Sequence, residues 1–280
     1  TVTKNDYIRR INKVVEYINN HLDDRLDLRK LASVANLSDH HFHRIFKGII
    51  GEPPIAFIER LRRETAAQLL RYSLSVEDIA FNIGYESASS LSKAFRDQYN
   101  ITPTEYRTNK DIYIMKKVET ASGITLKEPK IVELEPKSII YVALTGEYGS
   151  LDYNDAYARL WACVKEQKLF TKGIETICLS YDDPKITESN RQRTDVCLVV
   201  HKPARPDGEV CCKELQGGRY AVFYQGAYSN LSSVYDAIFG KWLTANPYEL
   251  RNVPVFEKYL NDSRKTAPEK LKTEIYLPIK

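Results

Sequence analysis

A length of 280 residues favours two domains at the usual ~100–200 residues each, and 43% hydrophobic with 28% charged residues is the composition expected of an ordinary soluble protein. No apolar run approaches the ~20 residues that cross a bilayer, and TVTKNDYIRR lacks a signal peptide's apolar core, so a cytoplasmic location with no membrane partner is expected. The formal charge of +4 is mildly basic. Residues 1–110 hold 17 Lys and Arg against 14 Asp and Glu, an excess that alone singles out no nucleic-acid partner.

The first hundred residues read as helices. In YIRRINKVVEYINNHL, Ile8, Ile11, Val15, Ile18 and Leu22 recur at steps of three and four, marking one apolar face. LDLRKLASVANLSDHHFHRIFKGIIG follows, then a longer helix from about Pro53 to Tyr72. Its Pro53–Pro54 pair suits a first turn, where a missing N–H costs nothing. The next block, LSVEDIAFNIGYESASSLSKAFRDQYNITPTEYR, repeats the earlier one. Leu26, Leu28, Leu31, Ala32, Asn36 and Leu37 align with Leu74, Val76, Ile79, Ala80, Gly84 and Tyr85 at a spacing of 48. After one inserted residue, Phe42, Arg44, Phe46 and Lys47 align with Leu91, Lys93, Phe95 and Arg96 at a spacing of 49.

Each copy has the parts of a helix-turn-helix. A small residue (Ala32, Ala80) lets two helices approach, and a residue tolerant of left-handed dihedrals (Asn36, Gly84) breaks the first of them. Ser38 and Ser87 are placed to cap the second helix. Phe42, Ile45 and Phe46, like Leu91, Ala94 and Phe95, are expected to point inward. The opposite face carries His40, His41, His43, Arg44 and Lys47 in the first copy. In the second it carries Ser89, Ser90, Ser92, Lys93 and Arg96. Arg can bond a guanine edge bidentately, while Ser and His reach base edges or phosphates. The bland alternative is two solvated faces of an ordinary bundle, and the duplication weighs against it. Double-stranded DNA is the expected partner, read by two heads of one chain about one turn, ~34 Å, apart on an asymmetric site.

From about Tyr7 to Arg107 the chain resembles the two-motif DNA-binding module of the AraC family. The resemblance rests on Ala32, the SDHHFHRIFK stretch from Ser38 to Lys47, Gly51, and RLRRETAA from Arg60 to Ala67. It continues through IAFNIGYES, from Ile79 to Ser87, and is most specific in AFRDQYNITPTEYR, from Ala94 to Arg107. It implies a transcription regulator whose second helices enter successive major-groove segments, with His40, His43, Arg44, Ser89, Ser90 and Lys93 facing bases. RNA polymerase is then a candidate partner. The short serines of the second copy leave the recognised sequence open.

A charged connector, KDIYIMKKVETASGITLKEPK, leads into a different pattern. The organisation read from the chain is a helical domain at 1–110, a linker at 111–121 and a second domain at 122–280. That second domain is also duplicated. Glu133-Leu134-Glu135-Pro136 recurs as Glu214-Leu215-Gln216-Gly217, Gly146-Glu147-Tyr148 as Gly226-Ala227-Tyr228, and DAYARLW from Asp155 as DAIFGKW from Asp236. Each half reads as strand, helix, strand, strand: roughly 131–148, 152–169, 174–182 and 193–202, then 210–227, 230–245, 253–260 and 272–279. The fold class is therefore α+β multidomain: an all-α N-terminal domain with two helix-turn-helix motifs joined by a linker helix, then a pseudo-twofold duplicated β-α-β-β domain with a cleft between its halves. Cys163, Cys178, Cys197, Cys211 and Cys212 are odd in number, include no C-x-x-C pair and sit mostly in apolar runs. They are expected to be small buried residues, forming neither a disulfide framework nor a metal site.

PVFEKYLND, from Pro254 to Asp262, followed by TEIYLPI, from Thr273 to Ile279, resembles the GyrI-like domain family over about residues 122–280. That resemblance implies a small-molecule effector in the C-terminal cleft, a cationic amphipathic compound, with the glutamate of the Phe-Glu-x-Tyr context, here Glu257, at its centre. The residues agree. On a strand Glu257 shares its face with Val255 and Tyr259, and a carboxylate in such a row is costly to bury unless a cation or donors compensate. An organic cation does so, with aromatic faces adding cation–π attraction. Tyr148, Trp161, Tyr228, Trp242 and Tyr276 are candidate walls. The alternatives are that Glu257 pairs with Lys or Arg or meets water, and that the aromatic residues are core.

The function expected is an effector-modulated transcription regulator. Two other classes are compatible with the sequence: a C-terminal domain that docks a protein, and a hydrolase in which Glu257 and a nearby Tyr act as base and acid. Against the hydrolase, the second domain offers His201 as its one histidine, no Gly-x-Ser-x-Gly elbow and no metal cluster. No catalytic residue, metal or cofactor is assigned, and the chain is expected not to be an enzyme.

Overall fold

The computed structural model describes residues 4–71, 74–108, 126–184, 186–225, 231–251 and 253–280. The chain divides into two compact units, Thr1–Val118 with Asp183–Glu188, and Glu119–Asp182 with Ser189–Lys280. The linker expected at 111–121 lies outside the described residues. Among the described residues no helix is long and apolar enough to cross a membrane.

In the helical unit α1 (Lys4–Asn20) buries Ile11, Val14 and Ile18. Val14 takes the inward place expected for Val15, which packs at the margin of the same core. The first helix-turn-helix is α2 (Leu28–Val34) and α3 (Asp39–Ile50). After α4 (Pro54–Leu69) comes the second, α5 (Val76–Asn82) and α6 (Ala88–Tyr99), and α7 (Pro103–Thr108) closes the unit. The two turns are built alike. Asn36 (φ 52°) and Gly84 (φ 84°) take left-handed backbone. The Leu37 amide donates to the Ala32 carbonyl at 3.0 Å, and the Tyr85 amide to that of Ala80 at 2.8 Å. Ser38 and Ser87 then cap α3 and α6, accepting from the His41 and Ser90 amides. The inserted residue is Glu86, lying between the second turn and its cap.

The duplication also runs further than the aligned residues. Gly51 (φ 90°) and Asn100 (φ 59°), 49 positions apart, end α3 and α6 with the same left-handed cap. Beyond them Phe57 meets Phe46 edge-on at 5.5 Å, and its counterpart Tyr106 lies 5.7 Å from Phe95. The start of α4 and the whole of α7 are thus a third matched piece, which braces each outer helix from behind.

The linker helix α4 carries the polar fixtures between the two copies. Buried Arg60 bonds Glu52 (2.6 Å) and Glu64 (3.0 Å). Arg62 donates to the Leu22 and Asp24 carbonyls at 3.1 and 2.9 Å, tying the loop after α1 to the linker. Glu59 accepts from the Tyr85 hydroxyl at 3.2 Å. Gly84 lies against this contact: a Cβ there would stand 2.4 Å from the Leu22 carbonyl oxygen and 2.5 Å from the Arg62 guanidinium. Gly84→Ala therefore meets both left-handed strain and a backbone that cannot step aside. We expect urea unfolding to show a loss of about 3 kcal/mol or more. Asn36→Ala, strained at φ alone, should lose only about 1 kcal/mol. Equal small losses at both sites would show that the Leu22–Arg62 approach does not limit the turn.

The second unit is one eight-stranded antiparallel sheet in the order β1-β6-β8-β7-β3-β4-β2-β5. Its strands are β1 (Lys130–Leu134), β2 (Lys137–Thr145), β3 (Glu175–Ser180), β4 (Arg193–Val199), β5 (Cys211–Leu215), β6 (Gly218–Gln225), β7 (Val255–Tyr259) and β8 (Thr273–Pro278). Exchanging β1 with β5, β2 with β6, β3 with β7 and β4 with β8 reverses the order onto itself, so a pseudo-twofold axis runs between β7 and β3. One expectation needs correction. The first strand of each half is not continuous but broken in two, at Glu135–Pro136 and Gln216–Gly217, and its two arms are not neighbours in the sheet. Its short arm crosses to the other half: β1 pairs with β6, and β5 with β2. Pro136 breaks the first because it lacks an N–H for the ladder, and Gly218 (φ 105°) turns the second.

One face of the sheet is covered by α8 (Tyr153–Glu166) and by α9 (Leu231–Ala237), which continues through a π-helical turn at Ile238–Trp242. Here Cys178, Val196 and Leu198 pack against Ala156, Leu160 and Val164. On the other face the strands' own side chains pack together, among them Tyr141, Ile177, Tyr220, Phe256 and Tyr276.

Candidate functional site

The repeat places two comparable helices with comparable outer faces. Phe42 and Phe46 of α3, and Leu91 and Phe95 of α6, are fully buried. On the far side His41, His43, Arg44 and Lys47 are exposed, as are Ser89, Ser90, Lys93 and Arg96, while Ser92 is half-buried. The side chain of His40 lies outside what the structure describes. Arg44 with Lys47, and Lys93 with Arg96, occupy matched positions one helical turn apart. Each face therefore offers two cations, beside histidines on α3 and serines on α6. Ser90 is partly engaged in capping, its hydroxyl 3.0 Å from that of Ser87.

The second unit builds a different site on the helix-covered face. Glu257 of β7 is buried at 8% exposure, flanked in the sheet by Cys178 and Ile275. Both carboxylate oxygens are held by phenols: Tyr235 of α9 donates to Oε1 at 2.9 Å and Tyr259 to Oε2 at 2.7 Å. Burial pushes the Glu257 carboxyl above its usual range, and the two phenol hydrogen bonds only partly oppose it. The same burial, with Glu257's charge nearby, raises Tyr235 and Tyr153. Tyr157, one turn after Tyr153 on α8, lies 3.5 Å from the Cys178 sulfur. That thiol, pushed up by burial to about 12, is inert packing beneath the carboxylate. Among the described residues Glu257 has no Lys or Arg partner, and its charge is met by the neutral hydroxyls of Tyr235 and Tyr259. The arrangement can exchange a phenol hydroxyl for a cation, which supplies the opposite charge that the phenols do not.

The expected walls separate into those near Glu257 and those elsewhere. Tyr259 stands beside it. Tyr148 is close enough to Tyr235 to raise it, but its hydroxyl is spent between the Arg193 and Asp182 carbonyls at 2.9 and 3.1 Å. Tyr276 faces the opposite side of the sheet, stacked on Phe256 at 4.3 Å and donating to Glu274. It is one residue out of phase with Ile275, Glu257's cross-strand neighbour, and period-two alternation removes it from the site. Trp161 stacks on exposed Phe170 (6.1 Å) at the margin of the α8 core. Trp242 packs edge-on to Phe223 at 5.0 Å and stacks on Tyr248. Tyr228 lies outside the described residues. Tyr153, Tyr157 and Tyr235 went unnamed in the sequence reading. The four-residue spacing of Tyr153 and Tyr157 at the start of a helix was a usable signal for two of them, whereas nothing local marks Tyr235. Among the described residues no group of three His, Cys, Asp or Glu could hold a metal ion.

Fold and sites together define a class: a double helix-turn-helix module of the AraC type joined to a duplicated sheet domain built to take a small molecule. The chain belongs to the family described as GyrI-like small molecule binding domain, whose model matches residues 127–280, and residues 31–109 match a helix-turn-helix domain. The transcriptional regulator Rob of Salmonella typhimurium is 25% identical over 284 residues, covering 96% of this chain and 98% of Rob. The probable transcriptional regulator YgiV of Escherichia coli is 32% identical over 108 residues, 38% of this chain and 67% of that protein. YbfP of Bacillus subtilis, an HTH-type transcriptional regulator, is 32% identical over 116 residues. The chain spans 39% of YbfP's length and 41% of its own is covered.

Proposed function

We propose that the chain is a transcription regulator that reads an asymmetric duplex with α3 and α6 and takes up an organic cation at Glu257, which alters its affinity for DNA. The observation that carries the first part is the matched pair of exposed cations on two equivalent helices. The residues assigned to the DNA are His40, His41, His43, Arg44, Lys47, Ser89, Ser90, Lys93 and Arg96. Two heads on one chain favour an unlike pair of half-sites over a palindrome. The second part is supported by a buried carboxylate compensated, among the described residues, by phenols alone, and by relatives named as regulators. Coupling requires that the cation favour one state of the protein over another, so the test must compare DNA binding with and without it.

Selection of duplexes from a random pool by the purified protein tests this reading. Enrichment of two unlike blocks about one turn, ~34 Å, apart supports it. Enrichment of a palindrome, or no enrichment with or without cationic amphipaths, rejects it.

A further inference from the structure

The face that carries Glu257 also carries two buried polar groups with no hydrogen-bond partner. Thr273 of β8 is 0% exposed, and its Oγ1 has no hydrogen-bond partner among the described residues. Trp242 is 9% exposed, and its indole N–H is likewise unpartnered. Register places Thr273 beside the carboxylate and the aromatic contact of Trp242 two strands away on the same face. Thr273 stands opposite Tyr259, one step diagonal to Glu257, and Phe223, against which Trp242 packs, stands in one cross-strand row with Ile275 and Glu257. Diagonal neighbours on a sheet face are ~7–8 Å apart, within the span of a small ligand. A buried hydroxyl without a partner is a standing cost that native proteins rarely carry without use. An indole N–H can only donate, and a threonine hydroxyl can donate, so the complement common to both is an acceptor oxygen.

We propose that Thr273 is a specificity-determining residue of the Glu257 site, selecting organic cations that carry an acceptor oxygen a few ångströms from the charged centre over cations with purely hydrocarbon bodies. This rests on the reading of Glu257 as a cation site and adds to it the second functional group of the ligand. Thr273 supplies the hydrogen bond that an ester, ether or ketone oxygen lacks once it leaves water. A plain alkyl chain gains nothing from it and leaves the hydroxyl unpartnered.

The test uses hexanoylcholine and nonyltrimethylammonium, which match in length and differ in the ester, with affinities measured by calorimetry on the whole protein. Thr273→Val is expected to weaken hexanoylcholine about tenfold and to leave nonyltrimethylammonium within twofold or tighter. Thr273→Ser should keep the hexanoylcholine affinity within about twofold. Thermal denaturation of the Val protein should show a melting temperature no lower than wild type, since a buried unpartnered hydroxyl is removed. Unchanged hexanoylcholine binding in Thr273→Val, or an equal loss for both cations, overturns the role of Thr273 while cation binding stands. Failure of wild type to bind either cation, or full binding of both by Glu257→Gln, removes the cation site and this inference with it.

Discussion

Alanine at both Arg44 and Lys93 is expected to lower affinity for a selected duplex by about 100-fold or more, with no change in melting temperature. Each side chain is exposed on the face opposite a fully buried aromatic or aliphatic pair, so its loss leaves the packing of α3 and α6 intact. A base-directed Arg contributes about 1–3 kcal/mol, and a phosphate contact removed lowers the salt slope by ~1. The double variant should therefore also bind with a shallower salt dependence. Arg44→Ala alone should relax only one of the two sequence blocks if, as proposed, each head reads its own groove segment. Fluorescence anisotropy against salt concentration checks both effects. Unchanged affinity and slope in the double variant would mean that these helices face solvent for another reason.

The second large effect is expected at Glu257→Gln, which should weaken organic-cation binding by about 100-fold. Removing one partner of a buried charge pair strands the other, at a cost of about 2–5 kcal/mol. The same change should stabilise the protein without ligand, and the pH dependence gives the sign. The folded state raises the Glu257 carboxyl above its ordinary value of 4.5, so over the window from 4.5 up to the raised value the folded state holds a proton that the unfolded chain has lost. Stability then falls as pH rises through that window. Glutamine carries no such charge. Its advantage over wild type should be absent in acid and grow above pH 4.5, reaching roughly 2–4 °C if ~1 kcal/mol is at stake in a domain of this size. A glutamine variant that binds cations as wild type does, or melts lower at alkaline pH, would show that the Tyr235 and Tyr259 hydroxyls compensate the charge fully.

Much of the helical unit was legible because its signals are local. Asn36 and Gly84, Ser38 and Ser87, and the apolar triplets of α3 and α6 each act within a turn or two, and the offset of 48 then 49 exposes them as a pair. The sheet unit was legible in its order of elements and less so in its breaks. Glu135–Pro136 and Gln216–Gly217 mark the repeat, yet their second meaning, a break that sends the two arms to different places in the sheet, depends on β1 and β5 finding partners in the opposite half of the domain. The alternation of β7 correctly joined Glu257 to Tyr259. Across the ladder the same alternation puts Tyr276 one residue out of phase, on the opposite face.

The sequence by itself determined that two helix-turn-helix units share one chain, that each turns a cationic helix face outward, and that a duplicated α+β domain presents Glu257 among aromatic residues. Those follow from backbone preferences and from periodicity, which act over a few residues. Tertiary structure alone decided which tyrosines beyond Tyr259 meet that carboxylate. Tyr235 comes from a helix 22 positions earlier and donates to one oxygen, while Tyr276, nearer the expected pattern, packs on the other side of the sheet. Strand register and helix docking set those distances, and both depend on pairings between segments far apart in the chain, which no local pattern encodes.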